Sequence, residues 1–101
     1  MLIRRWQAPI VPDRQQILLM FEAEGLQPFE ELFPPAAQVK DHRHPLDEVR
    51  MVVSGQLMMD VAGNRLLLRP GDRILIPSNT RHSKKVEGEA PCLCICSYKS
   101  I

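Results

Sequence analysis

The chain shows almost no excess of charge of either sign, since 13 Lys and Arg residues oppose 12 Asp and Glu residues for a formal net charge of +1 over 101 residues. The arginines are scattered along the chain and form no basic stripe, which argues against a nucleic-acid partner. No apolar run approaches the roughly 20 residues needed to cross a bilayer. We therefore expect neither nucleic acid nor a membrane among the partners.

The first residues of the sequence do not resemble an export signal. The segment MLIRRWQAPIV contains basic residues, but it has no adequate apolar core and no small-residue cleavage site. We therefore expect a cytoplasmic protein. The sequence contains no internal repeat and no low-complexity segment, and its length predicts a single domain.

The sequence has only three cysteines, an odd number that disfavours a disulfide framework. Cys92, Cys94 and Cys96 alternate along one apparent strand, and neighbours placed in this way have poor geometry for a disulfide. Three thiolates on one strand also cannot surround a zinc ion tetrahedrally. We predict that they pack as small apolar residues. If their face is the interior of the fold, Cys94 or Cys96 would line its cavity.

Helical patterning is confined to the N-terminal third of the chain, at residues 13–24. Asp13 and Gln16 have the spacing of a capping box, and Gly25 is suited to end the helix. The apolar positions that fall on one face of this helix are Ile17, Met20 and Phe21. We expect that face to pack against the rest of the domain.

From residue 37 onward the pattern is one of short strands separated by Gly and Pro turns. The predicted strands cover residues 37–40, 49–53, 56–61, 65–69, 73–76, 86–87 and 92–98. Residues 56–61 and 65–69 flank the turn Ala62-Gly63-Asn64 and predict a hairpin with Leu57 and Met59 on one face. Many short strands with little helix predict an all-β sandwich or barrel.

The three histidines of the chain lie in two short segments, HRHPLDEVRMVVSG and GDRILIPSNTRH. On a strand, His42 and His44 would project to the same face. The turn-like residues 45–47 and the apolar run after Glu48 predict a hairpin that brings this carboxylate back toward both imidazoles. Two imidazoles and a carboxylate suit a divalent first-row transition metal. His82 would be a fourth ligand, delivered by the second segment.

The joint pattern HxHxxxExxxxxxG and GDxxxxPxxxxH resembles the two signature motifs of the cupin superfamily, closely over residues 41–83 and loosely elsewhere. The resemblance implies a small, single-domain cupin of bacterial type with a jelly-roll β-barrel and one short N-terminal helix. Residues 1–36 would form an extension packed on a barrel of residues 37–101. One divalent transition metal per chain (Fe, Mn, Zn or Ni) is implied. Its ligands, matched position by position, would be His42, His44, Glu48 and His82.

Three further positions match the motifs, and two depart from them. The matching residues are Gly55, Gly71 and Pro77. Asn79 stands in a loop where cupins often have glycine, but asparagine tolerates a left-handed backbone better than most residues. Arg50 stands at an inward position that is often aromatic in cupins. Asp47 and Asp72 have the positions of turn and hairpin residues.

Arg50 is the unusual residue of the first motif. Period-two alternation from Glu48 places Arg50 and Val52 on the ligand face, where the guanidinium could pair with a carboxylate or phosphate of a substrate. The alternatives are a structural ion pair with Glu48 or Asp72, or a β-bulge that turns the side chain outward.

The opposite face of the same strand is apolar, because it holds Val49, Met51 and Val53. Such a face needs cover. The N-terminal segment with Trp6 or a second subunit could supply it, and we predict a homodimer, as is common among cupins.

Four protein ligands leave two positions open on a metal that prefers six. Because all three histidines are assigned to the metal, Glu48 as a proton acceptor and Arg50 as an anion contact are the candidate catalytic groups. The leading hypothesis is a metal-dependent cupin that binds a small, anionic organic molecule, as a dioxygenase-type oxidoreductase. A non-catalytic binding or sensing module, or a metal-dependent isomerase or lyase, are the alternatives, and resemblance of fold does not choose among them.

Overall fold

A computed structural model describes residues 1–99, which form nine β-strands and one α-helix. In chain order these are β1 (Leu2–Arg4), α1 (Arg14–Ala23), β2 (Phe29–Phe33), β3 (Gln38–His42), β4 (Asp47–Ser54), β5 (Gln56–Val61), β6 (Asn64–Leu68), β7 (Arg73–Ile76), β8 (His82–Glu87) and β9 (Cys92–Lys99). The strands form two antiparallel sheets. The predicted all-β jelly roll with one short N-terminal helix is confirmed.

One sheet has five strands in the order β1-β7-β4-β9-β2, and the other has four in the order β3-β8-β5-β6. Apolar residues from both sheets form a common buried cluster, so the core lies between them. β1 and β2 both precede residue 37 and are strands of the five-stranded sheet. The sheets therefore also include residues assigned above to the N-terminal extension, and the division at residue 36 stays a prediction.

The predicted hairpin around residues 62–64 is present, because β5 pairs antiparallel with β6. Leu57 and Met59 are buried while the alternate residues of β5 are not, which is the expected pattern for a strand with one face on the core. Gly55, between β4 and β5, has φ +78°, and a Cβ there would collide with the carbonyl oxygen of Pro91. Asn79 has φ +57°, the left-handed conformation anticipated at its loop.

The segment from His42 to Glu48 is not the hairpin that the sequence predicted. β3 pairs with β8 in the four-stranded sheet, whereas β4 is hydrogen-bonded to β7 on one edge and to β9 on the other. Because both edges of β4 are occupied, the preceding residues cannot pair with it and instead cross from one sheet to the other. His44 accordingly lies in the crossover and not on the strand that carries His42.

The helix α1 covers the outside of the five-stranded sheet. It begins with the predicted capping box, in which the Gln16 amide donates to Asp13 Oδ1 (2.9 Å) and the Asp13 amide donates to Gln16 Oε1 (2.8 Å). Its buried residues Ile17 and Phe21 pack in one cluster with the outward-facing residues of β4 and β9. The residues of that cluster contributed by the sheet are Val49, Met51 and Ile95.

The apolar outer face of β4 is thus covered from within the chain, by α1 and by Trp6 packed beside it. The homodimer stays a prediction, but the face that motivated it is already occupied. Within residues 1–99, no helix is both long and apolar enough to span a membrane.

Candidate metal centre

The inner face of the five-stranded sheet is polar at one end and apolar at the other. β4 places Glu48 opposite Tyr98 of β9, then Arg50 opposite Cys96, and then Val52 further along the strand. Period-two alternation sends all of these side chains toward the space between the sheets. We call the end that holds Glu48 and Tyr98 the polar end of the barrel.

Three imidazoles meet at the polar end. His42 ends β3 and His82 begins β8, and the two residues are directly paired across these strands. His44 reaches the same place from the crossover. One ligand atom from each ring lies within 4.8 Å of the others. The structure therefore brings together the three histidines that the sequence selected.

Glu48 joins this group from the other sheet. Its Oε1 lies 3.4 Å from His44 Nε2 and 3.6 Å from His82 Nε2. Glu48 is therefore adjacent to two of the three clustered imidazoles, those of His44 and His82, and it approaches them from the opposite sheet.

Backbone hydrogen bonds fix which ring nitrogens can bind a metal. His42 Nδ1 lies 2.8 Å from the carbonyl oxygen of Lys40, and His82 Nδ1 lies 2.9 Å from that of Thr80. A carbonyl oxygen only accepts, so each Nδ1 carries the hydrogen and a neutral ring keeps its lone pair on Nε2. Bonds of this kind typically orient histidine ligands of metals. Burial lowers the pKa of His44 and favours its neutral form despite the nearby Glu48 carboxylate.

The atoms turned toward the centre have no hydrogen-bond partner among the described residues. These buried atoms are His44 Nε2, His82 Nε2 and Glu48 Oε1. Buried polar atoms in native proteins are nearly always paired, so a cluster of unpaired acceptors indicates a missing partner. Imidazole nitrogens with a carboxylate oxygen are a donor set that first-row divalent metals accept. The residues present therefore fit a divalent transition metal.

The second oxygen of Glu48 is held by cations inside the barrel. Arg50 Nε donates to Glu48 Oε2 at 2.9 Å, and Lys84 Nζ lies 3.8 Å from the same oxygen. Arg50 also pairs with Glu31, whose Oε1 is 2.6 Å from Nη2. Although burial alone would raise the pKa of Glu48, the charges of Arg50 and Lys84 beside it hold this pKa well below its usual range. Glu48 is therefore a carboxylate at neutral pH.

Arg50 faces the barrel interior, as the alternation from Glu48 predicts, and its side chain is 0 % exposed. The ion pair with Glu48, one of the alternatives left open by the sequence, is the arrangement observed. The pair with Asp72 is not formed, because the Asp72 carboxylate accepts from Arg5 and from the backbone amides of Trp6 and Arg69. A direct contact of Arg50 with a substrate stays a prediction.

The two aspartates predicted as turn residues have structural partners. Asp47 Oδ1 accepts from the Ser78 amide at 2.7 Å and so ties the start of β4 to the loop before β8. Asp72 ties the N-terminal segment to the turn before β7 through the contacts given above. Neither carboxylate is among the groups that meet at the polar end.

Two charged residues of the centre were not found from the sequence. Lys84 could have been, because it follows His82 by two residues on one strand and must share its face. Glu31 lies on β2, where the sequence predicted no strand, so its face could not be inferred from alternation. Its partner Arg50 gave the only cue, since a buried guanidinium requires a counter-charge.

The three cysteines are free, fully buried thiols that line the inner face of β9. They belong to the apolar cluster between the sheets, which agrees with their prediction as small packing residues. Cys92 Sγ and Cys94 Sγ are 3.9 Å apart. That contact and the charge of Arg50 lower the pKa of Cys94 against the opposing effect of burial.

The family model of the cupin domain (Cupin_2) matches residues 29–98, which is most of the chain. The chain belongs to the cupin family. The matched region of this cupin contains all four proposed ligands and all strands of the four-stranded sheet, whereas β1 of the five-stranded sheet precedes it. The predicted membership of the superfamily is confirmed.

Among curated proteins, this cupin is similar to the acireductone dioxygenases of Bacillus licheniformis and Exiguobacterium sibiricum. Each is 44% identical over an alignment of 48 residues that covers 43% of this chain and 27% of the relative. The chain thus spans about a quarter of the length of the curated relatives it matches.

Among solved structures, it is similar to an RmlC-like cupin from Shewanella frigidimarina, with a TM-score of 0.67 and 22% identity over 75% of this chain and 67% of that one. The Schizosaccharomyces pombe Cnp3 cupin domain gives a TM-score of 0.70 at 11% identity, covering 73% of this chain and 55% of that one. At these identities the similarity establishes the fold alone.

Proposed function

We propose that this chain is a metal-dependent cupin in which His42, His44, His82 and Glu48 hold one divalent transition metal. The observation that carries the proposal is the set of buried, unpaired acceptor atoms of His44, His82 and Glu48, which all point to one place. A cation is the partner that such a set lacks.

The remaining residues of the centre position these ligands. The carbonyl oxygens of Lys40 and Thr80 orient the rings of His42 and His82. Arg50 engages one oxygen of Glu48 and leaves the other directed toward the imidazoles. A divalent transition metal held there would supply Lewis-acid or redox chemistry to a chelating substrate.

The charges around the centre support an anionic ligand. The carboxylates of Glu31 and Glu48 are matched by the cations of Arg50 and Lys84 within the same network. A divalent cation added to this balanced set leaves the centre positive. A small organic anion that chelates through two oxygens fits both the charge and the two remaining coordination positions.

For the reaction, we propose dioxygenase-type oxidation of a small enediol or a related chelating anion. The 48-residue similarity to two acireductone dioxygenases supports this choice, and an acireductone is the first substrate to try. The proposal for the reaction is separate from the proposal for the metal, because the relatives are matched over about a quarter of their length.

Elemental analysis of the untagged protein, followed by titration with Fe²⁺, Mn²⁺, Zn²⁺ and Ni²⁺, tests the metal centre. We expect about one ion per chain and a loss of affinity of at least tenfold in His82→Ala. Arg43→Ala is the matched control, because Arg43 is exposed and lies between the two histidines of the first motif. Equal metal affinity in His82→Ala and the unmodified protein would rule out the proposed ligand set.

Oxygen uptake by the iron-loaded protein tests the reaction. We expect consumption of dioxygen when an enediol is added anaerobically first and air is then admitted, and none with His82→Ala. A metal-bound protein that is thermally stabilised by the enediol but consumes no oxygen would instead be a binding or sensing module, and the oxidoreductase proposal would fail.

A further inference from the structure

Two aromatic rings stand beside the polar end of the barrel. The rings of Phe29 and Tyr98 are stacked, with centroids 5.6 Å apart and an interplanar angle of 29°. The Tyr98 ring is also 5.0 Å from the ring of His44. We call Phe29 and Tyr98 the aromatic shelf.

The strands put the aromatic shelf on the same side as the proposed ligands. Tyr98 is directly opposite Glu48 in the pairing of β9 with β4. Phe29 is opposite Cys96 in the pairing of β2 with β9, so it is the diagonal neighbour of Tyr98. Diagonal neighbours on one face are within reach of aromatic side chains. Both rings therefore project from the inner face, at its outermost row.

The two side chains of the aromatic shelf are exposed to solvent, whereas two of the proposed metal ligands beside it are buried. Phe29 is 39 % and Tyr98 is 36 % exposed, whereas Glu48 and His82 are each 1 % exposed. His44, which touches Tyr98, is partly exposed. His44 and the two rings are thus the partly exposed groups beside the buried ligands. A few polar groups beside apolar, aromatic walls are the usual composition of a small-molecule site.

We propose that the aromatic shelf binds a planar, apolar substituent of the ligand, whose polar end chelates the metal. The inference rests on the proposed function and adds the class of ligand: a chelating organic anion that carries an aryl or similarly flat apolar group. Stacked and edge-to-face contacts with Phe and Tyr favour such a group beyond the area that it buries. The aromatic shelf would discriminate between chelating ligands by their apolar substituents, whereas the metal would bind the chelating group that these ligands have in common.

Two hydroxamates test the shelf, because acetohydroxamate and benzohydroxamate have the same chelating group and differ in a methyl or a phenyl substituent. Their dissociation constants would be measured by calorimetry on the full chain loaded with Zn²⁺. We expect benzohydroxamate to bind roughly fivefold more tightly than acetohydroxamate, the size of an aromatic pair interaction.

Variants of the aromatic shelf separate selection from chelation. Phe29→Ala should reduce the preference for benzohydroxamate to about that of the free zinc ion and leave acetohydroxamate binding unchanged. Tyr98→Ala should do the same, and Tyr98→Phe should keep the preference because the ring remains. Leu32→Ala is the matched control. Leu32 also lies on β2 and is 66 % exposed, but it projects from the face opposite to that of Phe29.

Metal content is measured before any hydroxamate is added, so that failure of the metal centre is distinguished from failure of the shelf. No zinc in the unmodified protein would overturn the proposed function and the shelf with it. Bound zinc with an undiminished preference for benzohydroxamate in Phe29→Ala would overturn the shelf alone. If Tyr98→Ala loses zinc because it supports His44, Phe29→Ala still decides the question.

Discussion

The two faces of β4 are both buried, yet they are buried in opposite ways. Outward, Val49 and Met51 lie beneath α1 in an apolar cluster. Inward, Glu48 and Arg50 lie between the sheets, where each charge has a partner of opposite sign. An apolar face is stabilised by any apolar surface that packs on it and excludes water. A buried charged face requires a group of opposite charge within hydrogen-bonding or ion-pairing distance of each charge.

The difference separates parts of the molecule that hold the fold together from parts that constrain its chemistry. The outer cluster stabilises the fold because apolar side chains of α1, of the five-stranded sheet and of Trp6 bury one another there. The inner charges contribute little net stability, because pairing does no more than offset the cost of removing them from water. Their arrangement fixes the orientation of the Glu48 carboxylate.

Breaking the inner pair should produce the largest effect. Arg50→Met would leave the Glu48 carboxylate buried, with the more distant Lys84 as its remaining cation. We therefore expect the free energy of unfolding to fall by about 3–5 kcal/mol. Urea denaturation of the metal-free protein measures this change. The double variant Arg50→Met with Glu48→Gln removes both charges and should lose less than the single variant. A double variant that is the less stable of the two would show that the cost does not come from an uncompensated carboxylate.

Truncating the outer face should have a somewhat smaller effect. Met51→Ala removes buried methylenes beneath α1, and we expect a loss of about 2–3 kcal/mol that is insensitive to added salt. Met51→Leu conserves most of the volume and should cost less than about 1.5 kcal/mol. Equal losses in the two variants would mean that shape, and not buried apolar volume, limits packing on this face.

An exposed ion pair sharpens the comparison, because it has the same chemistry as the inner pair in a different place. Arg73 donates from Nη1 and Nη2 to the two carboxylate oxygens of Glu24 at 2.5 Å, and nearly half of the Glu24 side chain is exposed. Glu24→Gln should therefore cost less than about 1 kcal/mol, and the cost should shrink in high salt.

The same pair predicts a pH dependence of known sign. The hydrogen bond from Arg73 lowers the pKa of the Glu24 carboxyl group below its ordinary value. A carboxyl group with a depressed pKa in the folded state stabilises the protein above its unfolded pKa, and the contribution is lost as the pH falls through the folded pKa. The difference in unfolding free energy between the unmodified protein and Glu24→Gln should thus narrow below about pH 4.5. A difference that widens on acidification would contradict the assigned sign.

Local patterns in the sequence predicted much of what the structure contains. The capping residues Asp13 and Gln16 predicted the start of α1, and alternation predicted the two faces of β4 and β5. Spacing predicted that His42, His44 and His82 would meet. These predictions succeeded because each depends on the repeat of a helix or strand, or on a motif pattern already associated with one fold.

Predictions that required knowledge of strand partners were less successful. The residues before β4 were expected to form a hairpin with it, but β7 and β9 occupy both of its edges. Glu31 was missed as the second partner of Arg50, because β2 and β4 are far apart in sequence and each pairs with β9. Alternation specifies the face of a side chain, and it carries no information about which strand lies alongside.

The order of residues alone thus determined which side chains share a face, where α1 starts, and that one carboxylate and three imidazoles are available to a metal. Only the packing of the two sheets decided that Arg50 would hold Glu48, that α1 would cover the outer face of β4, and that the stacked rings of Phe29 and Tyr98 would lie beside His44. The physical reason is range: backbone geometry acts between neighbours in the chain, whereas burial and charge pairing act between residues that become neighbours only after folding.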